Sequence, residues 1–200
     1  MHMKIAIIQY NAGNIQSVLY ALERLGKTAI VTDNPEEIQA SDKVIFPGVG
    51  EASTAMSYLK ARNLDQVIVS LKQPVLGICL GMQLMCQYSE ENNTPCLGIF
   101  EEKVKLFKSN TMDFKVPQMG WNTIGQLKTE LFNGVADNSF TYFVHGYYAG
   151  IGVNTIATTH YIQAYSSALH KGNFYGVQFH PEKSADIGEQ IIQNFLALKS

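Results

Sequence analysis

Long apolar runs are missing from this 200-residue chain. Nothing approaches the roughly 20 consecutive apolar residues that span a bilayer. The first apolar run ends at Ile8, too short for the core of a signal peptide and better suited to a strand. An excess of one charge is missing too. There are 15 Lys and Arg against 17 Asp and Glu, for a net charge of −2. Composition therefore does not draw the chain to nucleic acid or to an acidic membrane. Cysteine is sparse, with only Cys79, Cys86 and Cys96. An odd count without a secretion signal predicts reduced thiols and a cytoplasmic setting. Their separations of seven and ten residues do not match a paired C-x-x-C zinc site, and no metal or cofactor is called for. Linkers, repeats and low-complexity segments are absent. Residues 1–200 are therefore expected to form a single domain.

What is present in the first half is an alternation of strand and helix. Lys4–Gln9, Thr28–Thr32, Lys43–Phe46 and Pro74–Cys79 are apolar, β-rich runs. Asn14 is placed to cap a helix whose stripe is Ile15, Val18, Leu19, Leu22 and Leu25, with Gly26 at its stop. Asn34-Pro35-Glu36-Glu37 has a cap, a first-turn proline and two acids. Ala52, Ala55, Met56 and Leu59 form another helical stripe. The second half is richer in short β-type runs: 103–107, 114–117, 142–144, 153–158, 163–165 and 174–179. Lys171-Gly172-Asn173 reads as a hairpin turn between the last strands. A final helix is expected from about Ile187 to Leu198. The fold class is α/β: a three-layer, open, mostly parallel sheet with flanking helices and an antiparallel extension. Such sheets bind ligands beyond the carboxyl ends of their strands.

Three turns at those ends carry chemistry. Gly77-Ile78-Cys79-Leu80-Gly81 has the form G-x-C-x-G, the cysteine version of a nucleophile elbow. A helix start favours negative charge on sulfur and offers free N–H groups to an oxyanion. The bland reading is a buried cysteine between two ordinary glycines; Cys86 and Cys96 take such a reading. His180 follows the last strand, and Pro181 biases it towards extended geometry. Glu182, two residues on, then falls on the same side and can orient the imidazole as base for Cys79. The alternative is a polar turn after a strand. His145, in an aromatic-rich strand, is the rival base; a satisfied core histidine or a pocket wall suits it better. Pro47-Gly48-Val49-Gly50 follows the third strand. This turn and the Leu80 N–H are candidate oxyanion donors, one such donor being worth roughly 3 kcal/mol. A plain tight turn is the other reading.

Taken together, these stretches resemble the class I, triad-type glutamine amidotransferases. The matching segments are Pro47–Gly50, Gly77–Gln83, Phe143–Tyr147 and Gly176–Glu182, in the family's order along essentially the whole chain. Met82, the segment Pro117-Gln118-Met119-Gly120-Trp121-Asn122 and the ending Pro181-Glu182-Lys183-Ser184 look most like the branch serving histidine biosynthesis. The resemblance implies that Cys79 attacks the glutamine side-chain amide, with His180 and Glu182 completing the triad. It implies that Gly48, Val49, Gly50, Leu80, Gln83, His145, Gly146 and Tyr147 surround the glutamine. Gly146 departs from the family, where serine commonly stands. The resemblance also implies a (β/α)8-barrel cyclase partner, which receives the ammonia and makes imidazole glycerol phosphate and an aminoimidazole carboxamide ribotide. Asn14, Met119, Trp121, Asn122 and Lys183 are the expected interface, with Trp121 read as a loop residue. Other readings are a glutaminase of another pathway, a cysteine hydrolase of a related elbow-bearing fold, or a non-catalytic binding module.

Overall fold

The computed structural model describes residues 3–11, 15–109 and 114–199. Asn14, expected both as a helix cap and as an interface residue, lies outside the described residues. The first half runs β1 (Ile5–Ile8), α1 (Ile15–Arg24), β2 (Ile30–Thr32), α2 (Pro35–Gln39), β3 (Lys43–Phe46), α3 (Ala52–Ala61), α4 (Leu64–Ser70), β4 (Val75–Ile78) and α5 (Leu80–Met85). The second half is strand-rich. It contains β5 (Tyr88–Ser89), β6 (Thr94–Pro95), β7 (Lys103–Leu106), β8 (Gln118–Ile124), β9 (Ser139–His145), β10 (Tyr147–Ala149), β11 (Thr155–His160), β12 (Ala164–Lys171), β13 (Phe174–Val177) and the closing helix α6 (Ala185–Ala197).

The main sheet has the order β2-β1-β3-β4-β13-β12-β10-β7-β5-β6, with β11 beside β12. The pairings from β2 to β13 are parallel. From β13 to β7 the sheet turns antiparallel, the extension expected from the second half. The central parallel strands are buried on both faces, which explains their uninterrupted apolar sequences. Alternate side chains then serve opposite layers. Ile5, Ile7, Ile45, Leu76 and Ile78 pack with residues of α1 and α6. Ile8, Val44, Phe46 and Val75 pack with residues of α2 to α5. Burying each such side chain stabilises by about 2 kcal/mol.

Local signals act as expected at several ends. The Asn34 side chain accepts the Glu36 N–H at the start of α2. Gly26 takes φ +66° after α1, and Gly172 takes φ +61° in the β12–β13 hairpin. Three expectations are corrected. Helix α4 was not foreseen. Residues 114–117 form no strand. Trp121 sits within β8, because seven consecutive residues there pair with β9 in an antiparallel ribbon. That pairing is long-range and overrides the weak strand propensity of a polar, glycine-bearing segment.

Candidate active site

Strands β3, β4 and β13 are neighbours, so the turns after them converge. Gly77 lies opposite Gly176 and Ile78 opposite Val177. The Cys79 N–H extends this ladder by donating to the Val177 carbonyl at 2.8 Å. Cys79 then breaks from the strand at φ +53°, ψ −107°, a conformation costly for a residue with a Cβ. Helix α5 starts at the next residue. Gly81 is required here: a Cβ on it would stand 1.8 Å from the Phe46 carbonyl oxygen. The turn thus has the strained strand-to-helix form of a nucleophile elbow.

His180 is buried and keeps extended geometry, φ −99° and ψ 93°. Its N–H donates to the Tyr142 carbonyl at 2.8 Å. The chain does not stay extended beyond it; Pro181–Lys183 is a short 3-10 turn. Glu182 is nonetheless brought to the ring, where Oε1 accepts from His180 Nδ1 at 2.7 Å. With Nδ1 held by a carboxylate, the other side of the ring is left to face the Cys79 sulfur, whose charge acts on it. Burial pulls the imidazole pKa down, but the Cys79 sulfur and the Glu182 carboxylate outweigh it and raise it to about 10. At neutral pH this environment holds an imidazolium, the form a proton donor needs.

A cavity of about 260 Å3 opens beside Cys79. It is lined by Val49, Gly50, Leu80, Gln83, His145, Gly146 and Tyr147, and also by Val144 and Glu91. A larger hollow of about 390 Å3 beneath β1 and β2 is lined by neither cysteine nor histidine. Glu91 was not anticipated. It lies on a short 3-10 turn, and its Oε2 accepts the Ala52 N–H at 2.7 Å. Burial raises its pKa, against the pull of that N–H. No local sequence signal marks it; only the fold brings the turn to the cavity.

His145 is a pocket wall with a polar neighbour at each ring nitrogen. Its Nδ1 lies 2.7 Å from the Tyr147 carbonyl, and its Nε2 lies 3.2 Å from the Tyr165 hydroxyl. A carbonyl only accepts, so Nδ1 carries the proton towards Tyr147, while the Tyr165 hydroxyl beside Nε2 donates to Gln118 Oε1 at 3.0 Å. Burial drives its pKa down to about 4, against the Tyr147 carbonyl and with the charge of His180.

The turn after β3 is tightly held. The Tyr10 hydroxyl donates to the Pro47 carbonyl at 2.6 Å. A Cβ on Gly48 would lie 2.0 Å from that same hydroxyl oxygen, so no other residue fits without rearrangement. The Gly48 carbonyl accepts the Leu80 N–H at 3.3 Å. One expected oxyanion donor is thereby occupied by the turn that was expected to supply the other.

The β8–β9 ribbon alternates faces. Met119, Trp121, Phe140 and Tyr142 share the outer face, where Met119 is 67%, Trp121 54% and Phe140 59% exposed. The Trp121 and Tyr142 rings meet edge to face. Asn122, one residue along the strand, faces the other way, and its Nδ2 donates to the His160 carbonyl at 2.9 Å. Lys183 is exposed on the turn after His180.

The sequence model of the glutamine amidotransferase class-I family matches residues 6–198. The chain belongs to this family. It is 59% identical over 196 residues to the imidazole glycerol phosphate synthase subunit HisH of Bacteroides fragilis, covering 98% of this chain and all of that protein. The HisH subunit of Bacteroides thetaiotaomicron is 56% identical, with the same coverage of both chains. The fold matches the crystal structure of a glutamine amidotransferase with a TM-score of 0.72 at 16% identity, covering 96% of each chain. In a class I glutamine amidotransferase, a buried Cys–His–Glu set at the ends of adjacent parallel strands is suited to acyl transfer from an amide. Among the described residues no group of three or more His, Cys, Asp or Glu side chains could hold a metal ion. No described helix is long and apolar enough to cross a membrane.

Proposed function

We propose that this chain is the glutaminase subunit of an imidazole glycerol phosphate synthase, working in histidine biosynthesis. Cys79, His180 and Glu182 are its triad. Cys79 sulfur attacks the side-chain amide carbon of L-glutamine, forming an S–C bond. The C–N bond breaks as His180 gives its proton to the departing ammonia. His180, now neutral, takes a proton from water as that water attacks the thioester. The S–C bond breaks and glutamate leaves. The observation that carries this reading is the geometry: Cys79 on a strained strand-to-helix turn after β4, beside the neighbouring strand β13 whose end brings a buried His180 with Nδ1 2.7 Å from Glu182 Oε1. Near-complete identity in length with relatives of that name supports the pathway.

The cavity wall suits glutamine. Gln83, Gly50, Leu80 and the 145–147 segment shape it, and the Glu91 carboxylate suits the substrate's α-ammonium. The Leu80-to-Gly48 hydrogen bond supports an idle resting state. Turning the Gly48–Val49 peptide over would free the Leu80 N–H and direct the Val49 N–H inward, completing the oxyanion hole.

The partner is a (β/α)8-barrel cyclase that takes up the ammonia. Met119 and Trp121 on the outer face of the ribbon, with Lys183 beside the triad turn, are its docking residues; aromatic and Met side chains favour such surfaces. Residues 1–200 act as one domain in the cytoplasm, a setting that agrees with three unpaired cysteines. The decisive experiment assays glutamate release by the chain alone, with the cyclase, and with the cyclase plus its nucleotide. Low basal turnover and strong stimulation are expected. Turnover unaffected by the cyclase would sink the pathway assignment while leaving the amide chemistry in place.

A further inference from the structure

Gln178 stands two residues before His180 in sequence and reaches the Cys79 sulfur with its side chain, and the triad does not use it. It is fully buried just beyond β13, its N–H bonded to the Ser167 carbonyl. Its Nε2 lies 3.6 Å from the Cys79 sulfur, a hydrogen-bonding distance for sulfur. Its Oε1 accepts from Gln83 Nε2 at 2.9 Å. Gln83 Nε2 also donates to the Tyr147 carbonyl at 2.9 Å.

This chain of contacts fixes which way each amide points. A backbone carbonyl can only accept, so Gln83 must turn its NH2 towards Tyr147. The second hydrogen of that NH2 then needs an acceptor, so Gln178 must turn its oxygen towards Gln83. That leaves the Gln178 NH2 facing sulfur, with no freedom to present oxygen instead. The neutral thiol has another outlet, since the Cys79 sulfur also stands 3.7 Å from the Val144 carbonyl as a donor. The thiolate has no proton to give, and that carbonyl then faces it without a bond. An N–H locked towards the sulfur keeps a hydrogen bond to it after the proton has left.

We propose that Gln178 is a further catalytic residue: a fixed N–H donor to the Cys79 sulfur, aimed through Gln83 by the Tyr147 carbonyl. This rests on Cys79 being the nucleophile. In the acylation step the sulfur's electron pair goes to the amide carbon. The Gln178 N–H stays on its own nitrogen throughout, and the proton for ammonia comes from His180.

The test separates the sulfur contact from mere bracing of the pocket. Iodoacetamide, a small neutral electrophile, reports on the sulfur without filling the glutamine site. In Gln178→Met, whose side chain has similar length and no donor, alkylation of Cys79 at pH 7 is expected to slow about ten-fold, the scale of one hydrogen bond to a charged group. kcat for glutamine in complex with the cyclase falls by a similar factor. Gln178→Glu keeps an oxygen for Gln83 but sets a second oxygen towards sulfur, and it is slower still; it serves if the Met variant does not fold. Variants that melt like wild type, alkylate at the wild-type rate and change only KM would overturn the proposal and leave Gln178 as a brace for Gln83. Cys79→Ala is the control for the underlying reading: if it still turns over glutamine, the nucleophile assignment fails, whatever Gln178 does.

Discussion

His180 and His145 are both buried beside Cys79, yet their surroundings drive them in opposite directions. Burial alone would lower both. At His180 the Glu182 carboxylate and the sulfur reverse that effect and lift the pKa to about 10. At His145 the partners are a backbone carbonyl and a tyrosine hydroxyl, neither charged, and the pKa falls to about 4. The first environment suits a proton carrier and the second a fixed strut. Residue type did not set this difference; the Cys79 sulfur and then the Glu182 carboxylate, acting on one ring and not on the other, did.

The largest expected effect breaks the pair apart directly. His180→Asn should lower glutaminase kcat on the order of 10^4-fold, since it removes the proton carrier of the proposed triad. His145→Asn should cost about ten-fold and mainly raise KM, through the loosened Tyr147 carbonyl. Steady-state kinetics of both variants with the cyclase present decides this. Equal losses at the two positions would mean that the wall histidine also moves protons.

Glu182→Gln is the next largest. The amide can still orient the ring but no longer holds its charge, so kcat should fall on the order of 10^2-fold. The His180 pKa should drop from its value of about 10, because the carboxylate is one of its supports. NMR titration of the ring reads this. A pKa that stays in place would show that sulfur alone sets it.

Much of this contrast was legible in the sequence. Pro181 and Glu182 beside His180 foretold an imidazole paired with a carboxylate, and the aromatic run around His145 foretold a wall. Strands β3 and β4 were read nearly to the residue, because parallel strands buried on both faces are continuous apolar runs. Helix α4 escaped because it is short and follows α3 almost at once. Strand β8 escaped because Gln118, Gly120 and Asn122 carry little strand signal; its partner β9 lies some twenty residues on. The positions of Glu91 and Gln178 at the site could not be read at all. Each depends on contacts across the fold, from Glu91 to Ala52 and from Gln178 to Cys79.

The contrast also appears in stability. The folded His145 refuses a proton until about pH 4, whereas the unfolded imidazole binds one near pH 6.5. As pH falls through that window the unfolded state holds more protons, so stability declines with falling pH. The shift corresponds to about 3 kcal/mol, fully lost below pH 4. Urea unfolding of wild type and His145→Gln between pH 7 and pH 4 isolates this share, since other groups titrate in both. Wild type should lose about 3 kcal/mol more than the variant. Parallel curves would mean that the buried His145 accepts a proton without cost.

The smallest expected effect concerns Gly146, between His145 and Tyr147. A Cβ there would meet Val116 Cγ1 at 3.7 Å and Pro117 Cβ at 3.9 Å, ordinary contact distances. The family's usual serine therefore fits without moving the wall. Its hydroxyl would add one neutral hydrogen bond at the cavity, where such a bond is worth about 1 kcal/mol. Gly146→Ser should lower KM for glutamine by about two- to five-fold and change kcat by less than about two-fold. The division matters more than the size. If the His145 wall only binds and the His180 side only moves protons, a contact added to the wall belongs in KM. A gain in kcat instead would mean that the wall shifts the Cys79 sulfur, through the Tyr147 carbonyl, Gln83 and Gln178, and that the two sides of the site are one device.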